Sequence, residues 1–177
     1  MERISMKTIP ILLIILLAGS VTKAQVLRKY SISNSGCTYY NYCDIDFEIE
    51  YSEDSSKVYK GACQKDGITY GVICVELVFG IQDLSKAEEL MITYSDYLKT
   101  TLNIKKAVGY GKGHRLNKDE NTRGILDYWE DGDKDKWKIK CWTNGRYIGF
   151  MYVYSSKTLP EPAVDVFLDG LRFAEAK

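Results

Sequence analysis

One histidine, His114, and five cysteines, Cys37, Cys43, Cys63, Cys74 and Cys141, are the chain's supply of imidazole and thiol groups. A single imidazole cannot build a multi-histidine zinc site, and no two cysteines stand in C-x-x-C spacing. A cysteine nucleophile would depend on His114 as its base, and no G-x-S-x-G elbow offers a serine in its place. Asp131-Gly132-Asp133-Lys134-Asp135 sets carboxylates at alternate positions, as a calcium loop does. Lys136, however, stands where the turn glycine belongs and Trp142 where the bidentate glutamate belongs, so the segment reads as a charged hairpin turn. Gly109, Gly111 and Gly113 fall short of a G-x-G-x-x-G fingerprint and lead into polar residues rather than a helix. No catalytic residue, metal ligand or cofactor is assigned.

The cysteines and the aromatic residues are more informative. Cys37 and Cys43 flank the short segment Thr38-Tyr39-Tyr40-Asn41-Tyr42 and are the expected disulfide; the odd count leaves at least one thiol without an internal partner. The chain holds 14 tyrosines and three tryptophans. Rings with polar tips suit half-wet surfaces that bind proteins or flat ligands such as sugars, and they equally suit the strands of an antiparallel sheet. If a surface site exists, its expected members are Trp142, Tyr147 and Arg146 near the Asn144-Gly145 tip, with Trp129 as an outlying candidate.

The elements that would position these residues follow from periodicity. Phe47, Ile49 and Tyr51 alternate with Asp46, Glu48 and Glu50, which predicts a strand with one wet face. Val58 to Gln64 and Ile68 to Phe79 flank Lys65-Asp66-Gly67; a two-residue Asp66-Gly67 loop would set Cys63 opposite Tyr70 and Cys74 opposite Tyr59, and put Ile73, Val75, Leu77 and Phe79 on the core side. Ser85 with Glu88 makes a capping box, and Ala87, Leu90, Met91, Tyr94, Tyr97, Leu98 and Thr101 recur at helical spacing, so an amphipathic helix of about four turns begins there. Three strands follow, Gly124 to Asp131, Lys136 to Thr143 and Arg146 to Ser155. An Asn144-Gly145 loop would place Cys141 opposite Ile148 and Trp137 opposite Tyr152 on an apolar face, with Lys138, Lys140, Trp142 and Tyr147 on the other. Pro160 and Pro162 open a short helix carrying Ala163, Val164, Phe167 and Leu168, which ends at Gly170.

Arg3 and Lys7 precede an apolar run from Ile9 to Ala18 that ends in small residues and Thr22-Lys23-Ala24, the pattern of a cleavable signal peptide. That run is about half the roughly 20 residues a spanning helix needs. Ser20 stands where a lipoprotein box would carry its cysteine, so no stable membrane anchor is expected after cleavage. The expected division is 1–24 as signal peptide, 25–44 as an N-terminal extension and 45–177 as a single α+β domain in a periplasmic or secreted protein. With 24 basic residues against 24 acidic ones, nucleic acid is not an expected partner.

The ending Asn144-Gly145-Arg146-Tyr147-Ile148-Gly149-Phe150-Met151-Tyr152-Val153-Tyr154, followed by Val166-Phe167-Leu168-Asp169-Gly170-Leu171-Arg172-Phe173, resembles the PsbP/Mog-like α/β/α sandwich. Gly170 stands where that pattern often has Ser, and the similarity spans roughly Asp46 to Phe173. The resemblance implies a twisted antiparallel sheet of about six to seven strands flanked by two main helices, and largely non-enzymatic functions. The expected role is that of an exported accessory or binding protein that docks a protein partner at the cell envelope. The alternatives are a small-ligand or carbohydrate-binding module and, behind it, a hydrolase whose acids come from distant strands.

Overall fold

The computed structural model describes residues 26–175. The expected signal segment lies outside them. Ten strands and two α-helices follow one another: β1 (Arg28–Ser31), β2 (Thr38–Asn41), β3 (Glu48–Tyr51), β4 (Lys57–Lys65), β5 (Ile68–Glu76), α1 (Leu84–Thr101), β6 (Ile104–Ala107), β7 (Gly111–His114), β8 (Arg123–Asp131), β9 (Lys136–Thr143), β10 (Tyr147–Ser155) and α2 (Glu161–Leu168). Eight of the strands form one antiparallel sheet in the order β3-β4-β5-β10-β9-β8-β6, with β7 also on β8. The protein is therefore α+β with one main antiparallel sheet and two helices. The sheet has eight strands rather than six to seven because β6 and β7 add short edge pieces from a glycine-interrupted segment that lacks any strand periodicity.

Both faces of the sheet are covered. α1 closes one face, where Met91 packs with Val75, Leu77, Ile125, Trp129, Ile139, Cys141, Ile148 and Phe150. Asp83 caps it by accepting from Ser85 N at 2.9 Å, so the cap lies two residues before the expected Ser85. The other face is closed by α2 and by a ribbon of β1 and β2, which bring Val164, Phe167, Leu168, Ile32 and Tyr39 onto Tyr59, Tyr70, Val72, Met151 and Val153. Ile32, Cys37 and Tyr39, within the stretch 25–44 expected as an extension, thus supply part of the core. The chain's tail adds to the ribbon: Thr38 N donates to Arg172 O at 2.9 Å, Arg172 N to Thr38 O at 2.7 Å, and Tyr40 N to Gly170 O at 3.1 Å.

The β4–β5 hairpin has the expected register, with Cys63 opposite Tyr70, Cys74 opposite Tyr59, and positive φ at Asp66 and Gly67. The β9–β10 register differs from the expected one by two residues: Ile148 faces Thr143, Phe150 faces Cys141 and Tyr154 faces Trp137. The two central residues of that turn are Gly145 and Arg146, because the glycine takes the positive φ of 82° while Asn144 closes the ladder beside Tyr147. A slip of two leaves every side chain on its own face, so the apolar face still meets a helix as expected. β3 is an exposed edge strand, and Ile49 and Tyr51 are not buried. The disulfide joins Cys43 to Cys63, not to Cys37. Cys37 faces inward between the ribbon turn and the tail, where its sulfur accepts from Ala174 N at 3.4 Å. Among the described residues no helix is long and apolar enough to cross a membrane.

Candidate functional site: a cleft at the β9–β10 turn

The β9–β10 turn is built by three short-range devices. Thr143 Oγ1 donates to Tyr147 O at 2.8 Å and accepts from Gly145 N at 3.1 Å. Asn144 Oδ1 accepts from Arg146 N at 3.1 Å and Tyr147 N at 2.8 Å. A side chain at Gly145 would begin 2.2 Å from Ile81 O, so the turn admits only glycine there, both for its φ and for this close approach.

That approach links the turn to the connection between β5 and α1. Leu77 N donates to Arg146 O at 3.0 Å and Ile81 N to Gly145 O at 2.7 Å. Between these two bonds Val78, Phe79 and Gly80 form an arch off the end of the ladder, where Val78 N donates to Ser56 Oγ at 3.4 Å and Phe79 is 84% exposed. Strand alternation had placed Phe79 on the core side. The ladder ends at Glu76, so the alternation stops before it.

Beside this arch opens a cleft of about 840 Å³. Its walls are the ribbon turn at Asn34–Gly36, Glu76 at the end of β5, the Gly80–Gln82 side of the arch and Asn121; the β9–β10 turn and Ala174–Glu175 complete the rim. Arg146 Nη2 lies 3.2 Å from Glu76 Oε1. Tyr147 forms part of the floor: its hydroxyl donates to Ser35 O at 3.1 Å, its ring stacks on Phe173, and burial pushes its pKa up, so it stays protonated as a donor.

Of the residues proposed from sequence as a binding surface, the structure brings Arg146 and Tyr147 to this cleft and removes the tryptophans from it. Trp142 is 3% exposed and lies under α2, where its Nε1 donates to Leu168 O at 2.9 Å. It fits there because its neighbour on β8 is Gly124. A Cβ on Gly124 would sit 2.3 Å from the Trp142 ring. Trp129, also 3% exposed, faces α1 and donates to Asp127 Oδ2 at 2.6 Å. Tyr147 is 7% exposed. The expected aromatic surface is therefore interior, because α2 and the ribbon cover the face of Trp142 and Tyr147 and α1 covers that of Trp129.

Sequence reasoning missed Phe79, Asn34, Glu76 and Asn121. Only Phe79 left a trace: Leu77-Val78-Phe79 is an uninterrupted apolar run ahead of Gly80, which breaks the strict alternation of a strand. The carboxylates held below their usual range lie outside the cleft. Hydrogen bonds from Lys106 and Lys136 hold Glu130 at about 2, and the hydroxyl of Ser52 lowers Asp54; both remain ionised and have no proton to offer at neutral pH. Among the described residues no cluster of three or more His, Cys, Asp or Glu side chains is placed to hold a metal. No protein-family profile and no curated protein matches this chain.

Proposed function

We propose that this protein is an exported binding domain that docks a protein partner at the cell envelope through the arch and cleft beside the β9–β10 turn. The observation that carries this reading is Phe79. A large aromatic held outward by two backbone hydrogen bonds, next to exposed Val78 and a polar cleft, has the anatomy of an interface anchor with a polar rim. Arg146, on the rim and paired with Glu76, supplies a second residue type favoured at such centres. The resemblance to PsbP/Mog-like sandwiches, many of which act by docking, supports the same reading, as do the apolar N-terminal run and the Cys43–Cys63 disulfide for export.

The test is a crosslinked pull-down from the envelope fraction of the protein's own cells. The bait carries an epitope tag inserted in the exposed β8–β9 turn, at the far end of the sheet. A near-stoichiometric protein captured by the wild type and reduced at least tenfold by Phe79→Ser, with an unchanged urea midpoint, is the expected result. Equal capture by the variant, or nothing enriched, removes the reading. A small-ligand module is the second reading, favoured by a volume within the usual range for ligand pockets and by three asparagine side chains, of Asn34, Asn121 and Asn144, around the opening. A melting-temperature rise with one glycan or metabolite, abolished by Asn121→Ala and left intact by Phe79→Ser, would select it.

A further inference from the structure

β3 ends the main sheet and pairs with β4 alone, meeting only Lys57–Lys60 of that longer strand. All four of its residues are exposed. A strand in a sheet directs half of its N–H and C=O groups to each side, so the outer half of β3 has no ladder partner among the described residues. Its two faces differ in chemistry. Glu50 is opposite Val58, which packs under α1, so Glu48 and Glu50 lie on the α1 face. Ile49 is opposite Tyr59 in the other core, so Ile49 and Tyr51 lie on the ribbon face, 42% and 69% exposed. The charge along this edge has one sign. Asp44, Asp46, Glu48, Glu50, Glu53 and Asp54 are all exposed, and 44–54 contains no lysine, arginine or histidine. Lys60 answers Glu50 at 2.6 Å and Glu48 at 3.7 Å, and among the described residues no salt bridge reaches the other four. A second copy of β3 is therefore a poor occupant, because self-pairing crowds carboxylates along one seam. The same charge favours a cationic strand.

We propose that β3 is a strand-addition site for an extended basic segment of a partner protein, one with lysine or arginine at alternate positions and apolar or β-branched residues between them. Backbone hydrogen bonds to the free edge supply the affinity. The alternation sets the register: basic side chains stand beside Glu48 and Glu50, and apolar ones lie against Ile49 and Tyr51. Asp44 and Asp46 before the strand, with Glu53 and Asp54 after it, extend the attraction to both ends of the added segment. The site does not depend on Phe79 or on the cleft.

The test uses the full chain and a fluorescein-labelled peptide of alternating lysine and valine, about seven residues long, at ~0.15 M salt. Fluorescence anisotropy should show saturable binding of one peptide per chain, and residue-resolved amide exchange should slow at least tenfold within Glu48–Tyr51. A peptide N-methylated along its backbone keeps its charge but loses its donors, and should bind at least tenfold more weakly. Equal binding by that peptide, no saturable binding, or slowed exchange only outside β3 overturns the proposal. So does sedimentation showing that the chain self-associates through β3 without peptide, since the occupant is then a second copy. Asp46→Lys/Glu53→Lys alters two exposed carboxylates that hold no salt bridge, so the fold is kept; it should weaken binding at least tenfold, and an unchanged affinity counts against the site. Phe79→Ser should leave peptide binding intact even if it abolishes capture of the docked partner. A tenfold loss there would move the peptide to the arch and overturn the assignment to β3.

Discussion

Asp127 sits on the apolar face of β8, between Ile125 and Trp129, with its side chain 1% exposed. A carboxylate survives there because every lone-pair direction is used. Oδ1 accepts from Gly109 N at 2.9 Å and Tyr128 N at 2.8 Å, while Oδ2 accepts from Trp129 Nε1 and lies 3.1 Å from Lys99 Nζ. Asp127→Ala removes the buried partner of the Lys99 ammonium, leaving it Asp96 Oδ1 at 3.4 Å and the Tyr110 hydroxyl at 3.0 Å, and strips Gly109 N, Tyr128 N and Trp129 Nε1 of their acceptor, so it is expected to cost about 3–5 kcal/mol. Asp127→Asn keeps one acceptor and should cost about 1–3 kcal/mol. Urea unfolding of both variants checks the ranking, and equal midpoints would show that charge pairing is irrelevant at this site. Lys138, expected on a basic surface, is instead covered by α2. Burial opposes its charge, but the hydrogen bonds it donates to Glu161 and Asp165 outweigh that and push its pKa up to about 12. A folded value above the unfolded one means that the stabilisation is complete below pH 10.5 or so and fades as pH rises towards 12. Chemical denaturation across that interval should show the decline in the wild type and a flatter profile in Lys138→Met. These residues show why sites stay hidden at this scale. Nothing local tells an aspartate in a strand that a lysine 28 positions earlier will neutralise it.

Among the elements, those written in one stretch of chain were legible. β4, β5, β8, β9 and β10 follow their alternation, and the Asp66-Gly67 step fixes its hairpin to the residue because both positions take positive φ. The Asn144-Gly145 step marked a turn but not its frame, since the asparagine acts as an acceptor flanking the turn rather than as a turn residue. The ribbon of β1 and β2 was not legible. Its strands are four residues each, and they are held by α2 and the tail rather than by their own pattern. α1 shows the same limit. Its expected stripe included Tyr97, which is exposed, and omitted Ser95, which is buried. Among the described residues Ser95 Oγ has no hydrogen-bond partner. Ser95→Ala removes that unsatisfied group and raises helix propensity, so it should stabilise the protein by about 0.5–1.5 kcal/mol. A lower melting temperature by calorimetry would show that the hydroxyl is satisfied after all.

At the scale of the whole molecule, the sheet is a partition between two cores that share no side chains, one under α1 and one under α2 and the ribbon. The second core depends on segments far apart in sequence, and the Cys43–Cys63 bond clips the exit of the ribbon to β4 across a separation of 20 residues. Removing it with Cys43→Ser/Cys63→Ser frees that loop in the unfolded chain and should cost about 2–4 kcal/mol. Urea unfolding with and without dithiothreitol checks the figure. A wild type insensitive to reductant would place the stability of this half elsewhere. The tail, hydrogen-bonded along β2, runs on to Ala174 and Glu175 at the rim of the cleft. Any domain, fluorophore or affinity handle fused downstream of Glu175 therefore emerges at the mouth of the opening. A C-terminal fusion would act as a tethered plug, held near the cleft at high local concentration, and a binding experiment built on it would fall silent while the protein itself remained competent.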